Sequence, residues 1–155
     1  MQPTSCIMNT NSIEKQIEIK APVARVWRAL TDHVEFGKWF GAKMDSPFVV
    51  GKTTAGRILE TDYSHIQLAA TVVKMEAERL FSYTWHPYAV DKDVDYSKET
   101  PTLVEFTLSE SKGGTLLTVK ESGFDKIPAG RRDEAFRMHG QGWAAQLDNI
   151  KNHVS

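Results

Sequence analysis

Glu121 is the residue whose type and setting most suggest chemistry. Leu117, Val119 and Glu121 share one parity along a stretch read as a strand over Thr115–Glu121. The carboxylate is therefore expected on the apolar face of that strand. A carboxylate in apolar surroundings needs hydrogen-bond donors, or burial raises its pKa until it is neutral. His139 and Gln146 fall at the edge of the apolar face of a long C-terminal helix, where either could supply one. A ligand could do the same. His86 follows Trp85 at the mouth of another strand and could act as an acid–base group or a polar ligand contact. A strand-end histidine with no special role is the plainer reading. His33, His65 and His153 read as surface residues.

Other chemistries lack their residues. The sequence has no GxSxG nucleophile elbow and no phosphate-binding loop. It has no glycine-rich dinucleotide loop and no cluster of cysteines for an iron–sulfur centre. No two histidines have helical or strand spacing for a metal, and Cys6 is the only cysteine. No metal and no cofactor are expected. Acid–base work by Glu121, His139 or His86 on a bound phenolic or polyketide-like molecule is the enzymatic reading left open.

The elements that must position these groups follow from periodicity. Phe136, Gly140, Trp143, Leu147, Ile150 and Val154 recur at alternating steps of four and three, so about 131–154 is an amphipathic helix. Gly140 lies on its buried side, which leaves room beside the backbone. Ser12–Lys20 alternates as a half-buried strand. Pro22 opens a short helix carrying Val23, Val26, Trp27 and Leu30, and Val34–Phe40 forms a second that ends near Gly41. Strands follow over Thr53–Asp62, Ile66–Met75 and Leu80–Trp85, and then a hairpin of Thr102–Ser109 with Thr115–Glu121. The acid-rich loop from Tyr88 to Thr100 is expected to be a movable flap or a subunit contact.

Composition bounds the rest. A chain of 155 residues with net charge −1 fits one domain, with a flexible tail over 1–11 and the domain over 12–155. The charge gives no argument for nucleic acid or an anionic membrane. No apolar run approaches the ~20 residues that would span a bilayer. The start lacks the features of a signal peptide, so a cytoplasmic location is expected.

Five segments in order carry a family resemblance: APVARVWRALTD at 21–32, EFGKWFG at 35–41, ERLFSYTWHPY at 78–88, GGTLLTVKESGF at 113–124 and HGQGWAAQLDNIKNHV at 139–154. Together they resemble the AHSA1-like (activator of Hsp90 ATPase homologue 1-like) family of the START/SRPBCC superfamily. The resemblance implies an α+β helix-grip fold, START-like or Bet v 1-like. In that fold a curved antiparallel sheet wraps around the long C-terminal helix, with two short helices after the first strand. It also implies an apolar cavity for small molecules. Glu121 departs from the family pattern, which often has histidine there. On this resemblance Tyr83, Trp85, Phe106 and Val119 are expected to line the cavity from the sheet. Glu121 joins them, and His139, Trp143 and Leu147 line it from the helix. Trp39 and Phe40 are expected near its entrance. The expected function is non-catalytic binding of a small apolar or aromatic molecule. The alternatives are a cyclase or dehydratase and an Hsp90-type co-chaperone. A homodimer is left open.

Overall fold

The computed structural model describes residues 12–59, 67–86, 100–126 and 129–154. The tail over 1–11, the connection at Tyr63–His65 and all of the Tyr88–Thr100 loop except Thr100 lie outside them. So do the side chain of Phe136 and those of its neighbours at the start of the last helix. The elements run β1 (Ser12–Ile19), α1 (Val23–Thr31), α2 (His33–Phe40), β2 (Ala42–Met44), β3 (Thr53–Ile58) and β4 (Gln67–Glu76). They continue with β5 (Leu80–Trp85), β6 (Thr102–Ser111), β7 (Gly114–Ser122), a short 3-10 turn (Phe124–Lys126) and α3 (Ala129–Val154). No described helix is long and apolar enough to cross a membrane.

The strands form one antiparallel sheet of seven in the order β1-β7-β6-β5-β4-β3-β2. α3 packs against β1, α1 and α2 and closes the concave face. This is the helix-grip arrangement. Local chemistry sets its corners. Lys112 and Gly113 both take positive φ between the paired residues Ser111 and Gly114, which makes the two-residue turn that suits a twisted hairpin. Asp32 separates the first two helices, and its side chain accepts from the Val34 N–H at 3.0 Å as the N-cap of α2. Gly41 ends α2 in the left-handed region, where a Cβ would be strained.

Several boundaries differ from the sequence reading. The strand expected over Thr53–Asp62 ends at Ile58. β2 is three residues long, too short to show a period, and was not foreseen as a strand of its own. In β4 the register shifts between Val72 and Lys74, so Val73 and Lys74 are exposed in succession where simple alternation would turn one of them inward. His153 is not a plain surface residue. Its Nε2 lies 2.9 Å from Glu35, and the ring is half-buried because the end of α3 docks onto α2. Gly140 is half-buried, and a Cβ there would meet only Ile13 Cδ1, at 4.0 Å, so close approach by the described residues does not require glycine.

The register places the chemistry. Tyr83 pairs with Val104, Val104 with Glu121, and Glu121 with Ile13, one inward-facing row across four strands. Trp85 pairs with Thr102 one step along the same face. Phe81, Phe106 and Val119 make the neighbouring row.

Candidate functional site

Glu121 is fully buried, with 0% exposure. Each of its oxygens receives two donors. Trp85 Nε1 donates to Oε2 at 2.8 Å and Thr102 Oγ1 donates to the same oxygen at 2.5 Å. Trp143 Nε1 donates to Oε1 at 2.8 Å, and His139 Nδ1 lies 2.7 Å from it. An ionised carboxylate only accepts, so Nδ1 carries the hydrogen of that contact. The donors come from β5, β6 and α3, and the acceptor from β7. One side chain thus ties the helix to three adjacent strands.

Burial pushes the Glu121 carboxyl up. The hydrogen bond and charge of His139, and then the hydrogen bonds from Thr102 and Trp85, pull it down, and the net result is below the ordinary value. The group is therefore an anion held by donors that are mostly neutral. A carboxylate offers about four acceptor positions, and four donors occupy them here. No lone-pair direction remains for a substrate proton. As placed, Glu121 is a poor general base.

Tyr83 stands in the same row and is treated in the opposite way. It is 1% exposed, yet its hydroxyl has no hydrogen-bond partner among the described residues. Burial, and then the charge of Glu121, push its phenol well above the ordinary tyrosine range, so it stays protonated. Rings surround it. Its centroid lies 5.4 Å from Trp85, 5.7 Å from Phe81, and 6.3 Å from both Phe36 and Phe106. The layer continues through Trp85–Trp143 at 5.8 Å and Phe106–Trp143 at 5.5 Å.

The structure brings most of the residues expected at the site into this cluster. Tyr83, Trp85, Phe106, Val119 and Glu121 are buried on the sheet side, and Trp143 and Leu147 are buried on the helix side. His139 is half-buried beside Trp85 and Phe124. Trp39 is buried in the core, where its indole N–H donates to the Ala29 carbonyl at 2.8 Å. Phe40 is half-buried, stacks on Phe36 at 5.1 Å and reaches Trp85 at 5.8 Å. Gln146 serves a different acceptor from the one foreseen, because its Nε2 donates to the Phe40 carbonyl at 3.2 Å. His86 is half-buried at the end of β5.

Sequence reasoning missed Thr102, Phe36 and Phe48. Thr102 could have been found as a polar residue on the inward parity of β6. Phe48 was hidden behind Pro47, which read as punctuation. The larger miss was the tryptophans' polar edge. Trp85 and Trp143 were read as lining, whereas their indole N–H groups hold the carboxylate. No group of three or more His, Cys, Asp or Glu that could hold a metal occurs among the described residues.

Comparison with known proteins places this arrangement. Among solved structures, MLL2253 from Mesorhizobium loti is 24% identical, with TM-score 0.73, over 92% of this chain and 96% of that one. DynU16, from the dynemicin biosynthetic locus, is 20% identical, with TM-score 0.70, over 93% of this chain and 47% of that one. The Aha1 dimer from Colwellia psychrerythraea is 18% identical, with TM-score 0.70, over 92% of this chain and 95% of that one. These likenesses show a shared fold. No curated protein sequence matches. The family model described as "Activator of Hsp90 ATPase homolog 1-like protein" matches residues 20–155, and the chain belongs to that family.

Proposed function

We propose that this protein binds a small apolar or aromatic molecule between the concave face of the sheet and α3, without catalysing a reaction on it. The observation that carries the reading is the Tyr83 hydroxyl, buried in a layer of rings with no partner among the described residues. A buried hydroxyl without a hydrogen bond costs about 1–3 kcal/mol, which a bound polar atom would recover. Ligand sites are mostly apolar with a few placed polar groups, and rings around one hydroxyl fit that description. Trp85, Trp143, Phe106 and Val119 serve as walls. Glu121 acts by holding Trp85, Trp143 and His139 in place. Phe40, half-buried against Trp85, stands at the entrance with Trp39 behind it.

The saturated carboxylate favours binding over catalysis. A cyclase or dehydratase that used Glu121 would need it to exchange a proton with its substrate, which would first cost the carboxylate one of its four donors. Titration of the tryptophan fluorescence with fatty acids, flavonoids and phenolics tests the reading. A saturable change with at least one class is expected, because Trp85 and Trp143 line the site. Flat titrations across the panel would overturn it. The family description supports a second reading, co-chaperone action. Co-purification with Hsp90 and a raised Hsp90 ATPase rate would establish that reading in its place.

A further inference from the structure

We infer that the site selects an uncharged ligand that presents a carbonyl-type acceptor to the Tyr83 hydroxyl, and turns away carboxylates of the same shape. The inference rests on the binding function proposed above and names the ligand class.

Three observations carry it. First, Tyr83 offers a proton that no described residue accepts. A phenolic oxygen is a weak acceptor, because its lone pair is delocalised into the ring. Its strong hydrogen bond is therefore the one it donates, and a ligand that brings an acceptor would meet it. Second, Tyr83 and Glu121 are joined through Val104 in one row of the sheet. Two strand spacings separate their backbones, roughly 10 Å. A second negative charge at the hydroxyl would feel the first with little water between. Third, the buried polar and charged residues described are Thr54, Ser82, Thr102, Thr115 and Glu121, with no lysine or arginine among them. An anionic ligand would lose its hydration and find no buried cation of that kind in exchange. His139, the titratable group that touches the carboxylate, is engaged with it through Nδ1. Coulomb's law at an effective dielectric near 20 makes the repulsion worth on the order of tenfold in affinity, and lost hydration adds to it.

The test uses three probes that share two phenyl rings on one carbon, benzophenone, diphenylmethane and diphenylacetate, titrated into the full chain by calorimetry. Benzophenone is expected to bind at least tenfold more tightly than either of the others. In Tyr83→Phe, which removes one buried oxygen and keeps the ring, benzophenone is expected to fall to the affinity of diphenylmethane, and diphenylmethane to be unchanged. Diphenylacetate binding as tightly as benzophenone would overturn the charge selection while leaving the binding function intact. Equal loss of benzophenone and diphenylmethane in Tyr83→Phe would overturn the role of the hydroxyl. Binding of none of the three, together with flat titrations across the fluorescence panel, would remove the binding function and this inference with it.

Discussion

Two glutamate–histidine pairs hold α3, and they satisfy their carboxylates by different means. Glu121 on β7 meets His139, and Glu35 on α2 meets His153 about four helical turns further on. Around Glu121 the other donors are two indoles and a hydroxyl, and all three residues are buried. Around Glu35 they are guanidinium groups: Arg25 Nη1 at 2.7 Å and Arg28 Nε at 2.9 Å. Those arginine side chains are 28% and 61% exposed. In the interior, neutral donors fixed by packing replace water without importing further charge. At the rim, partly exposed cations do the work and solvent screens them. The first arrangement costs more to break, because an unpaired buried donor has no water to turn to.

The largest expected effect follows. Glu121→Leu leaves four donors without an acceptor and should destabilise the fold by about 4 kcal/mol or more. Denaturant unfolding measures it. Glu35→Leu in the same assay should cost about 1 kcal/mol, the scale of exposed ion pairs. Equal losses would mean that burial does not distinguish the two pairs.

Acid should reach part of the same loss by titration. Both carboxyls lie below their ordinary value of 4.5 in the folded protein. At Glu35 partial burial pushes up, and His153, Arg25 and Arg28 outweigh it. A carboxyl whose folded pKa is depressed binds protons less readily than in the unfolded chain. Its stabilisation is complete above the unfolded value and is lost as pH falls through the folded one. Stability should therefore be level above about pH 5 and fall below the ordinary carboxylate range near 4.3. Glu121→Gln and Glu35→Gln should each flatten part of that fall. A wild-type curve that stays level to pH 3 would contradict both shifts.

How much of this was legible in the sequence depends on how local each feature is. β5 matched its expected bounds because Phe81, Tyr83 and Trp85 alternate without interruption. α3 was legible from one apolar stripe, although its start lies two residues earlier than expected. The inward direction of Glu121 followed from strand parity alone. Its partners did not, apart from His139. Trp85 and Thr102 lie far away in the chain and meet Glu121 only through the register of three strands. Parity gives the face a residue takes and is silent on its neighbours across the sheet. His153 was misread for the same reason, because its partner Glu35 belongs to the other end of the chain.

Salt sharpens the comparison at a smaller scale. Raising ionic strength to about 1 M shortens the screening length to roughly 3 Å. The cost of Glu35→Gln, about 1 kcal/mol in dilute buffer, should shrink by half or more. The cost of Glu121→Gln should be nearly unchanged, because no solvent reaches it. Parallel loss at both sites would show that water enters the Glu121 cluster.

The smallest effect has the opposite sign and tests the contrast within one row of the sheet. Glu121 has every acceptor position filled, whereas the Tyr83 hydroxyl has no described partner. In the unliganded protein that hydroxyl is buried and finds no hydrogen-bond partner among the described residues. Tyr83→Phe removes the unmet group and keeps the ring against Trp85, Phe81 and Phe106. The variant should be more stable than the wild type by up to about 1 kcal/mol. Thermal and denaturant unfolding both read that gain, and saturating benzophenone should reverse the order, because only the wild type can return the hydrogen bond. A Tyr83→Phe variant less stable by 1 kcal/mol without ligand would show that the hydroxyl already has a partner in the folded chain. The contrast between the two residues would then be lost.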